Sequence, residues 1–227
     1  CSQIMKNNFF FDIHVHKLLE NTNDYAKKQF LKKKTNIAIV AIEQVNGRGR
    51  VNRKWISSEG DLTCSFLINQ CFSVDKIGQI NIWFAHKLLI LLKDLFPNLD
   101  LKIKWPNDLY LNNKKVGGIL TETSIIKNKL DFFLFGVGIN LVSAPNNVSY
   151  PTDSLSKYLK KIDAITLFFK ISKMFTNFVS ELNNDLLFTI DEKFLKNFKD
   201  YKRQIKIKVK KRTFEGEFSS LSHYGEL

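Results

Sequence analysis

The hydrophobic residues follow two periods along the chain, and each period predicts one kind of secondary structure. Short runs of mainly apolar, often β-branched residues are typical of strands buried on both faces. Alternation of Leu101, Ile103 and Trp105 with lysines predicts a strand with one solvent-exposed face. The predicted strands cover residues 9–15, 37–43, 62–69, 101–105 and 132–141.

Four other segments are predicted to be helical, most clearly where apolar residues recur at intervals of three and four. The first helix, from about residue 22 to 33, can be capped by Asn21 or Thr22, with Asp24 in its first turn. Pro97 ends the second amphipathic pattern. The remaining helices are predicted over residues 74–96, 162–187 and 191–198.

Residues 104–122 (KWPNDLYLNNKKVGGILTE) predict a hairpin followed by another strand. Pro106-Asn107-Asp108 and Asn112-Asn113 supply the turns, and Gly117-Gly118 separates the hairpin from the next strand. After residue 200 the chain shows only short strand patterns, and this tail is too small to hold a core of its own. We therefore predict a main domain over residues 1–200 and a partial second domain over residues 201–227.

Composition narrows the class of protein without identifying it. A formal net charge of +13 and a pI near 9.6 favour anionic partners, although lysine is abundant throughout the chain. Cys1, Cys64 and Cys71 form no C-x-x-C pair, which argues against a disulfide framework or a zinc site and favours a reducing compartment. Neither a signal peptide nor an apolar run near 20 residues is readable, so we expect a soluble cytoplasmic protein without membrane contact.

The loop at residues 44–55 (QVNGRGRVNRKW) is the first candidate binding element. Its glycines favour close approach of the backbone to a ligand, and its arginines suit carboxylate and phosphate groups. The spacing matches neither a P-loop nor a dinucleotide fingerprint. The loop can therefore be a cradle for an anionic ligand or an arm that binds nucleic acid.

The hairpin is the second candidate, because it can hold Asn107, Asp108 and Lys115 on one face. An ammonium group neutralises phosphate charge, and a carboxylate can help to hold Mg²⁺. A solvated hairpin with ordinary turn residues is the alternative. His14 and His16 share a strand face but have no evident third ligand, so no protein metal site is predicted.

Taken together, these stretches resemble biotin protein ligase. The similar motifs are Asn21-Thr22-Asn23, Gln44 followed by GRGR…RKW, KWPNDLYL…KKVGGILTE, and GVGIN, and they lie in the family's order over residues 10–141. The resemblance implies an α+β fold of the class II aminoacyl-tRNA synthetase-like type, with a mixed β-sheet flanked by helices. The tail resembles the first part of the family's small C-terminal SH3-like domain, so that β segment is expected to be incomplete.

The resemblance implies activation of biotin by ATP and Mg²⁺ to biotinyl-5′-AMP, followed by transfer to a lysine of a carrier domain. The acceptor would be the biotin carboxyl carrier protein of acetyl-CoA carboxylase or of another biotin-dependent carboxylase. By position, the implied catalytic residues are Lys115, Arg50 and Asp108. The implied biotin-binding residues are Asn21, Thr22, Asn23, Gln44, Arg48, Gly49, Arg50, Lys115 and Gly118. The implied ATP-binding residues are Arg48, Arg50, Trp55, Asn107, Lys115 and Asn140.

Three departures from the family pattern qualify this interpretation. Asn21 stands where the family usually has Ser, and Val51-Asn52 replaces an Arg-Gly or similar pair. The helix-turn-helix of repressor-type members is not present before residue 15, which argues against DNA binding, and a homodimer is left open by analogy. The alternatives are a lipoate or octanoate ligase of the same fold and a basic nucleic-acid-binding protein.

Overall fold

The computed structural model describes residues 10–51, 53–70, 73–127, 129–158, 162–183, 189–209 and 212–227. The strands are β1 (Asp12–Leu19), β2 (Ile37–Gln44), β3 (Leu62–Ile68), β4 (Leu101–Lys104), β5 (Asp108–Leu111), β6 (Lys114–Ile126), β7 (Lys129–Ile139), β8 (Gln204–Val209) and β9 (Arg212–Glu217). The helices are α1 (Thr22–Lys33), α2 (Ile77–Leu95), α3 (Ala164–Asn183) and α4 (Glu192–Leu195), with single 3₁₀ turns at Val74–Lys76 and Leu155–Lys157.

Within these residues, seven strands form one mixed sheet in the order β1-β2-β3-β7-β6-β5-β4. β1 pairs parallel to β2, and every other neighbouring pair is antiparallel. Helices pack on both faces, so the predicted α+β fold with a mixed, helix-flanked sheet is confirmed. β8 and β9 form a separate two-stranded sheet.

The two faces of the sheet are covered unequally. α2 and α3 cover one face, where Phe66, Phe135 and Phe175 are fully buried in the larger core. α1 covers only part of the opposite face, where its Phe30 joins a smaller core. The remainder of that second face is left open beside the N-terminus of α1, and the candidate site lies there.

Several predicted boundaries differ from the structure. The first strand begins at Asp12 and runs to Leu19 rather than over 9–15, because the whole segment pairs with β2. Gly117-Gly118 does not separate two strands, since both glycines pair within a continuous β6. The third helix spans Ala164–Asn183, and residues 184–187 of its predicted end lie outside the described residues.

The tail packs against the main sheet domain. Phe218 and Leu221 join the larger core, and Trp105 donates its indole N–H to the carbonyl of Gly225 at 2.9 Å. The β8–β9 hairpin projects from this contact with Phe214 exposed. The domain division at residue 200 stays a prediction. No helix in the described ranges is both long and apolar enough to cross a bilayer.

Candidate active site

A cavity of about 230 Å³ lies on the open face, between the N-terminus of α1, the end of β2 and the middle of the sheet. The segment 47–55 borders it, and Tyr150 contributes an aromatic wall. Its polar and charged lining residues include Asn21, Thr22, Asn23, Gln44, Arg48, Arg50, Arg53, Lys54, Asn107, Asp108 and Lys115. The rest of the lining includes Gly49, Val51, Trp55, Thr63, Cys64, Gly118, Ile119, Leu120, Gly136, Val137, Gly138 and Tyr150.

Glycines form the floor of this cavity. Gly118 of β6 pairs with Gly138 of β7, so two adjacent strands present bare backbone. A Cβ at Gly138 would lie 2.5 Å from Cζ2 and 2.7 Å from Nε1 of Trp55. A Cβ at Gly136 would similarly lie 2.5 Å from Oδ1 of Asn23. The absence of side chains at these glycines therefore leaves the space that Trp55 and Asn23 occupy, and a larger residue at either position would displace them.

A β-bulge directs Lys115 into the cavity. Leu109 pairs with Gly117 but Tyr110 pairs with Lys115, which leaves Val116 as an extra residue on β6. Without this insertion, the three-residue separation of Lys115 from Gly118 would place them on opposite faces. With it, a Cβ on Gly118 would lie 3.6 Å from Nζ of Lys115.

The ammonium group of Lys115 is held among an acid and two aromatic rings. Its Nζ lies 2.8 Å from Oδ1 of Asp108, and 5.7 and 5.3 Å from the ring centroids of Trp55 and Tyr150. Its backbone N–H donates to the Pro151 carbonyl at 2.9 Å, and its carbonyl accepts from the backbone N–H of residue 153 at 3.0 Å. A cation fixed at both backbone and side chain is well placed to neutralise an anionic ligand.

The end of the cavity nearest α1 is polar but uncharged. The Gln44 carboxamide oxygen accepts from the backbone N–H of Thr22 at 2.8 Å and from its hydroxyl at 3.1 Å. The Ser65 hydroxyl lies 2.7 Å from Oγ1 of Thr22 and 2.6 Å from Oδ1 of Asn23. Asn23 donates through Nδ2 to Glu122 at 2.7 Å, which fixes the orientation of its amide. Asn21 caps α1 by accepting from the backbone N–H three residues later.

Residues 47–51 and 53–55 form the two sides of a short hairpin, which we call the lid. Gly49 N–H donates to the Arg53 carbonyl at 2.7 Å, and Trp55 N–H donates to the Gly47 carbonyl at 2.9 Å. Arg50 reaches the opposite wall, donating to Oδ1 of Asn107 at 3.2 Å. The lid therefore touches both sides of the cavity.

The lid is also joined to α1 by Arg48. Its guanidinium makes a two-bond contact with the Asp24 carboxylate, with one bond of 2.8 Å. Burial raises the pKa of Asp24, but hydrogen bonds from Arg48 and Lys27 outweigh that effect and lower it below its usual range. Arg48 was predicted to bind ATP, yet in this structure its charge is taken up by Asp24.

Asn140 lies beside the main cavity rather than in it. It lines a smaller adjoining recess together with Trp55, Lys115 and Tyr150. Its Nδ2 donates to the Asp153 carbonyl at 3.0 Å, whereas its buried Oδ1 has no hydrogen-bond partner among the described residues. The Trp55 indole N–H is buried without a partner in the same part of the structure. A donor and an acceptor are thus both left open at this recess.

The recess and the cavity are supported by Asp153, which is 1% exposed. Its carboxylate accepts from the Tyr158 hydroxyl at 2.9 Å and pairs with Lys114 and Lys157 at 3.3 and 2.7 Å. Burial raises the pKa of Asp153, but hydrogen bonds, led by that from Lys157, lower it well below its usual range. Asp153 thereby anchors the segment that holds the backbone of Lys115.

The structure brings together every predicted site residue except Asn140, which adjoins the cavity, although their roles stay predictions. Val51 has a positive φ of 53°, which is uncommon for a β-branched residue, and Asn52 lies outside the described residues. The sequence interpretation did not select Tyr150, Gly136 or Gly138. Gly136 and Gly138 lay within the GVGIN motif, and Tyr150 lay in a long loop of a kind that is often functional.

The cavity offers few ligands for a metal ion. No group of three or more His, Cys, Asp or Glu suited to a metal was found in the described part of the chain. Among the described residues that line the cavity, Asp108 is the one with a carboxylate group, and this carboxylate pairs with Lys115. The lining residues that the structure describes therefore do not fit a protein-held Mg²⁺ site. Cys64 is a free, buried thiol, whereas Cys1 and Cys71 lie outside the described residues.

Comparison with known proteins agrees with the motifs. The biotin–protein ligase 1, chloroplastic, of Arabidopsis thaliana is 32% identical over 174 residues, which cover 72% of this chain and 47% of that protein. The biotin–[acetyl-CoA-carboxylase] ligase of Paracoccus denitrificans is 34% identical over 109 residues, covering 48% of this chain and 45% of that protein. The chain thus spans less than half the length of these two curated relatives.

Among solved structures, the biotin protein ligase from Aquifex aeolicus in complex with biotin and ATP superimposes with a TM-score of 0.79. It is 26% identical, and the alignment covers 94% of this chain and 89% of that one. A sequence model of the biotin/lipoate A/B protein ligase family matches residues 15–140, which include the lid, the bulged hairpin and the glycine floor. The chain therefore belongs to the biotin/lipoate A/B protein ligase family.

Proposed function

We propose that the protein is a biotin protein ligase that forms biotinyl-5′-AMP from biotin and Mg·ATP and transfers the biotinyl group to a carrier-domain lysine. The observation that carries this proposal is one cavity that has a neutral polar end and a cationic end. Glycines line the floor between these two ends. The relatives named above are biotin–protein ligases, and the Aquifex aeolicus structure contains biotin and ATP.

The neutral end suits a urea group such as that of biotin. A urea carries one acceptor oxygen and two N–H donors, and the side chains of Thr22, Asn23 and Gln44 supply both kinds of partner. Their mutual hydrogen bonds, together with Ser65, hold them in place before a ligand arrives. Asn21 takes part as the helix cap that fixes the start of α1.

The first chemical step joins two anions, so its main requirement is cancellation of their repulsion. A carboxylate oxygen of biotin attacks the α-phosphorus of ATP, the new O–P bond forms, and the bond to the leaving pyrophosphate breaks. Lys115 would contact both the biotin carboxylate and the α-phosphate, which requires exchange of its present contact with Asp108. Arg50 would bind phosphate from the lid, and Gly118 and Gly49 would allow close approach of the ligand to the backbone.

We assign the base of the nucleotide to the recess beside Lys115, which holds about 10 Å³ and must widen to receive it. Trp55 supplies a flat apolar face, while its open indole N–H and the open Oδ1 of Asn140 can bond the edge of a base. Asn107 lies where Arg50 meets the opposite wall and would lie near the phosphates. Arg48 would assist from the lid after release from Asp24, and Mg²⁺ would accompany the ATP phosphates as part of the substrate.

In the second step, a neutral acceptor lysine attacks the biotinyl carbonyl, an amide bond forms as the amine loses a proton to solvent, and AMP leaves with the electrons of the C–O bond. Asp108, at the mouth of the cavity, would orient the incoming amine. We propose the biotin carboxyl carrier protein of acetyl-CoA carboxylase, or of another biotin-dependent carboxylase, as the acceptor.

Ligand-dependent exchange of labelled pyrophosphate into ATP tests the proposal. We expect exchange with biotin and none above background with lipoate or octanoate. Exchange with lipoate or octanoate alone would assign the protein to the lipoate branch of the family. Absence of exchange with all three acids, together with salt-dependent binding to nucleic acid, would favour the third alternative.

A further inference from the structure

The face of the sheet that carries the cavity continues past Asp108 to the edge strand β4. Gly138, Gly118, Asp108 and Lys104 pair successively across β7, β6, β5 and β4, so they form one row on one face. In the next row, Tyr110 pairs with Lys102. The alternate residues of β4 and β5 are buried in the larger core. The surface beyond Asp108 is therefore an extension of the active-site face.

This extension is concave and rich in cations. A second cavity of about 490 Å³ lies there, between the β4–β5 hairpin and residues 196–203. The charged residues that line it are four cations, Lys102, Lys196, Lys199 and Arg203, and two carboxylates, Asp100 and Asp200. With Lys104 beside them, positive charge exceeds negative charge directly next to the mouth of the active site. We call this surface the β4–β5 platform.

Aromatic side chains give the platform a defined shape. The ring of Tyr110 lies 5.4 Å from Nζ of Lys104 and 5.9 Å from Nζ of Lys199, so two cations flank it. Burial raises the pKa of Tyr110 to about 12, so its hydroxyl stays a neutral donor. Tyr201 lines the same cavity. Tyrosine and arginine are enriched where protein partners bind.

The backbone at this edge is already paired. Ile103 N–H donates to the Asn197 carbonyl at 2.9 Å, and Lys199 N–H donates to the Ile103 carbonyl at 2.7 Å. A partner would therefore bind through side-chain contacts rather than by adding a strand to β4.

The direction of approach also favours this surface. The lid and α1 cover the cavity from the β2 side, where Arg48 bonds Asp24. On the β4 side, Lys104 is exposed in the same row as Asp108, so a macromolecule can deliver a lysine to Asp108 and Lys115 from there. We propose that the β4–β5 platform binds the acceptor domain through a carboxylate-rich surface of that domain, which places its lysine at Asp108. This inference rests on the proposed ligase function.

Charge reversal separates this binding role from the chemistry. In the test variant, exposed Lys196 and Arg203 are both changed to Glu. In the matched control, exposed Lys170 and Lys173 of α3, which covers the opposite face, are both changed to Glu. Both variants have the same net charge, so a difference between them reports position rather than total charge.

The acceptor probe is the biotin carrier domain of an acetyl-CoA carboxylase. We expect the test variant to raise the KM for this domain about tenfold with little change in kcat, whereas the control stays within about twofold of wild type. Rising salt should raise the wild-type KM more steeply than that of the test variant. Pyrophosphate exchange and biotinyl transfer to hydroxylamine should be unchanged in both variants.

Equal KM values in the test and control variants would overturn the platform as the docking surface. Loss of biotin-dependent exchange in the test variant would also overturn it, because the platform would then act on adenylation. Absence of exchange in the wild-type protein would instead refute the proposed function itself.

Discussion

Replacement of Gly138 by alanine tests whether the glycine floor exists to receive Trp55. The added methyl group would lie 2.5 Å from Cζ2 and 2.7 Å from Nε1 of that ring, whereas carbon atoms in contact are about 3.5–4.0 Å apart. The ring must therefore move by about 1 Å or more. Because Trp55 belongs to the lid rather than to the sheet, we expect the lid to lift while the strand keeps its place.

The expected loss of ATP binding follows from the lid moving while the strand stays in place. Overpacking costs about 1–3 kcal/mol, and here it falls on the closed lid. Alanine also restricts the unfolded chain, which stabilises the folded state by about 0.4–1 kcal/mol where the backbone tolerates it. We therefore expect the free energy of unfolding to change by less than about 1 kcal/mol, and ATP binding to weaken about 5- to 150-fold.

The assay is the KM for ATP in biotin-dependent pyrophosphate exchange, measured beside a thermal melt. Gly216→Ala is the matched control, because a Cβ at Gly216 on β9 meets no atom within 4 Å. An unchanged KM for ATP in Gly138→Ala would refute a closed lid in nucleotide binding. A large loss of thermal stability with normal ATP binding would show that the ring cannot move and that the cost falls on the fold.

The remaining predictions concern the cation, its support and the lid. Lys115→Ala should lower adenylation about 10²- to 10³-fold while leaving the melting temperature nearly unchanged, and normal exchange would refute its role. Asp153→Asn should cost about 2–4 kcal/mol of stability at pH 7. Because folding lowers the pKa of Asp153, the stabilisation from its ionised carboxylate is present above about pH 4 and is lost as the pH falls further. The melting temperatures of the wild-type protein and the variant should therefore converge in acid. Asp24→Asn should weaken the contact with Arg48 and speed release of biotinyl-5′-AMP, and an unchanged release rate would exclude this contact as a lid restraint. Residues 48–55 should gain protease resistance on addition of biotin, and equal cleavage with and without biotin would contradict ligand-dependent ordering.

Hydrophobic periodicity was sufficient to predict the strands of the sheet and the helices that cover it, because burial on one or both faces produces long apolar patterns. The pattern placed α1 within one residue of its observed ends, and the cap at Asn21 was readable from its side chain. The break expected at Gly117-Gly118 was wrong, because glycine lowers strand preference but does not prevent pairing when both neighbouring strands supply partners.

The site was less readable than the fold, because several of its features depend on contacts distant in sequence. The engagement of Arg48 by Asp24 needs α1 and the lid to meet, and no local pattern encodes that meeting. Tyr150 likewise reaches Lys115 from a loop whose course is set by the buried Asp153. Motif resemblance located the residues, but the three-dimensional structure was needed to find what supports each of them.

The extra residue in β6 also has a consequence for how this hairpin can change. Lys115 faces the cavity because Val116 shifts the strand by one position, so the placement of the cation is encoded by residue number as much as by residue type. Deletion of Val116 would restore regular pairing and leave Lys115 two residues from Gly118 on the same face, whereas one further residue inserted between them would turn Lys115 toward the buried core. An insertion between Lys115 and Gly118 is therefore more damaging than most substitutions there, and this hairpin keeps its cation on the ligand face in another scaffold only if the bulge and the extra residue are kept or removed together.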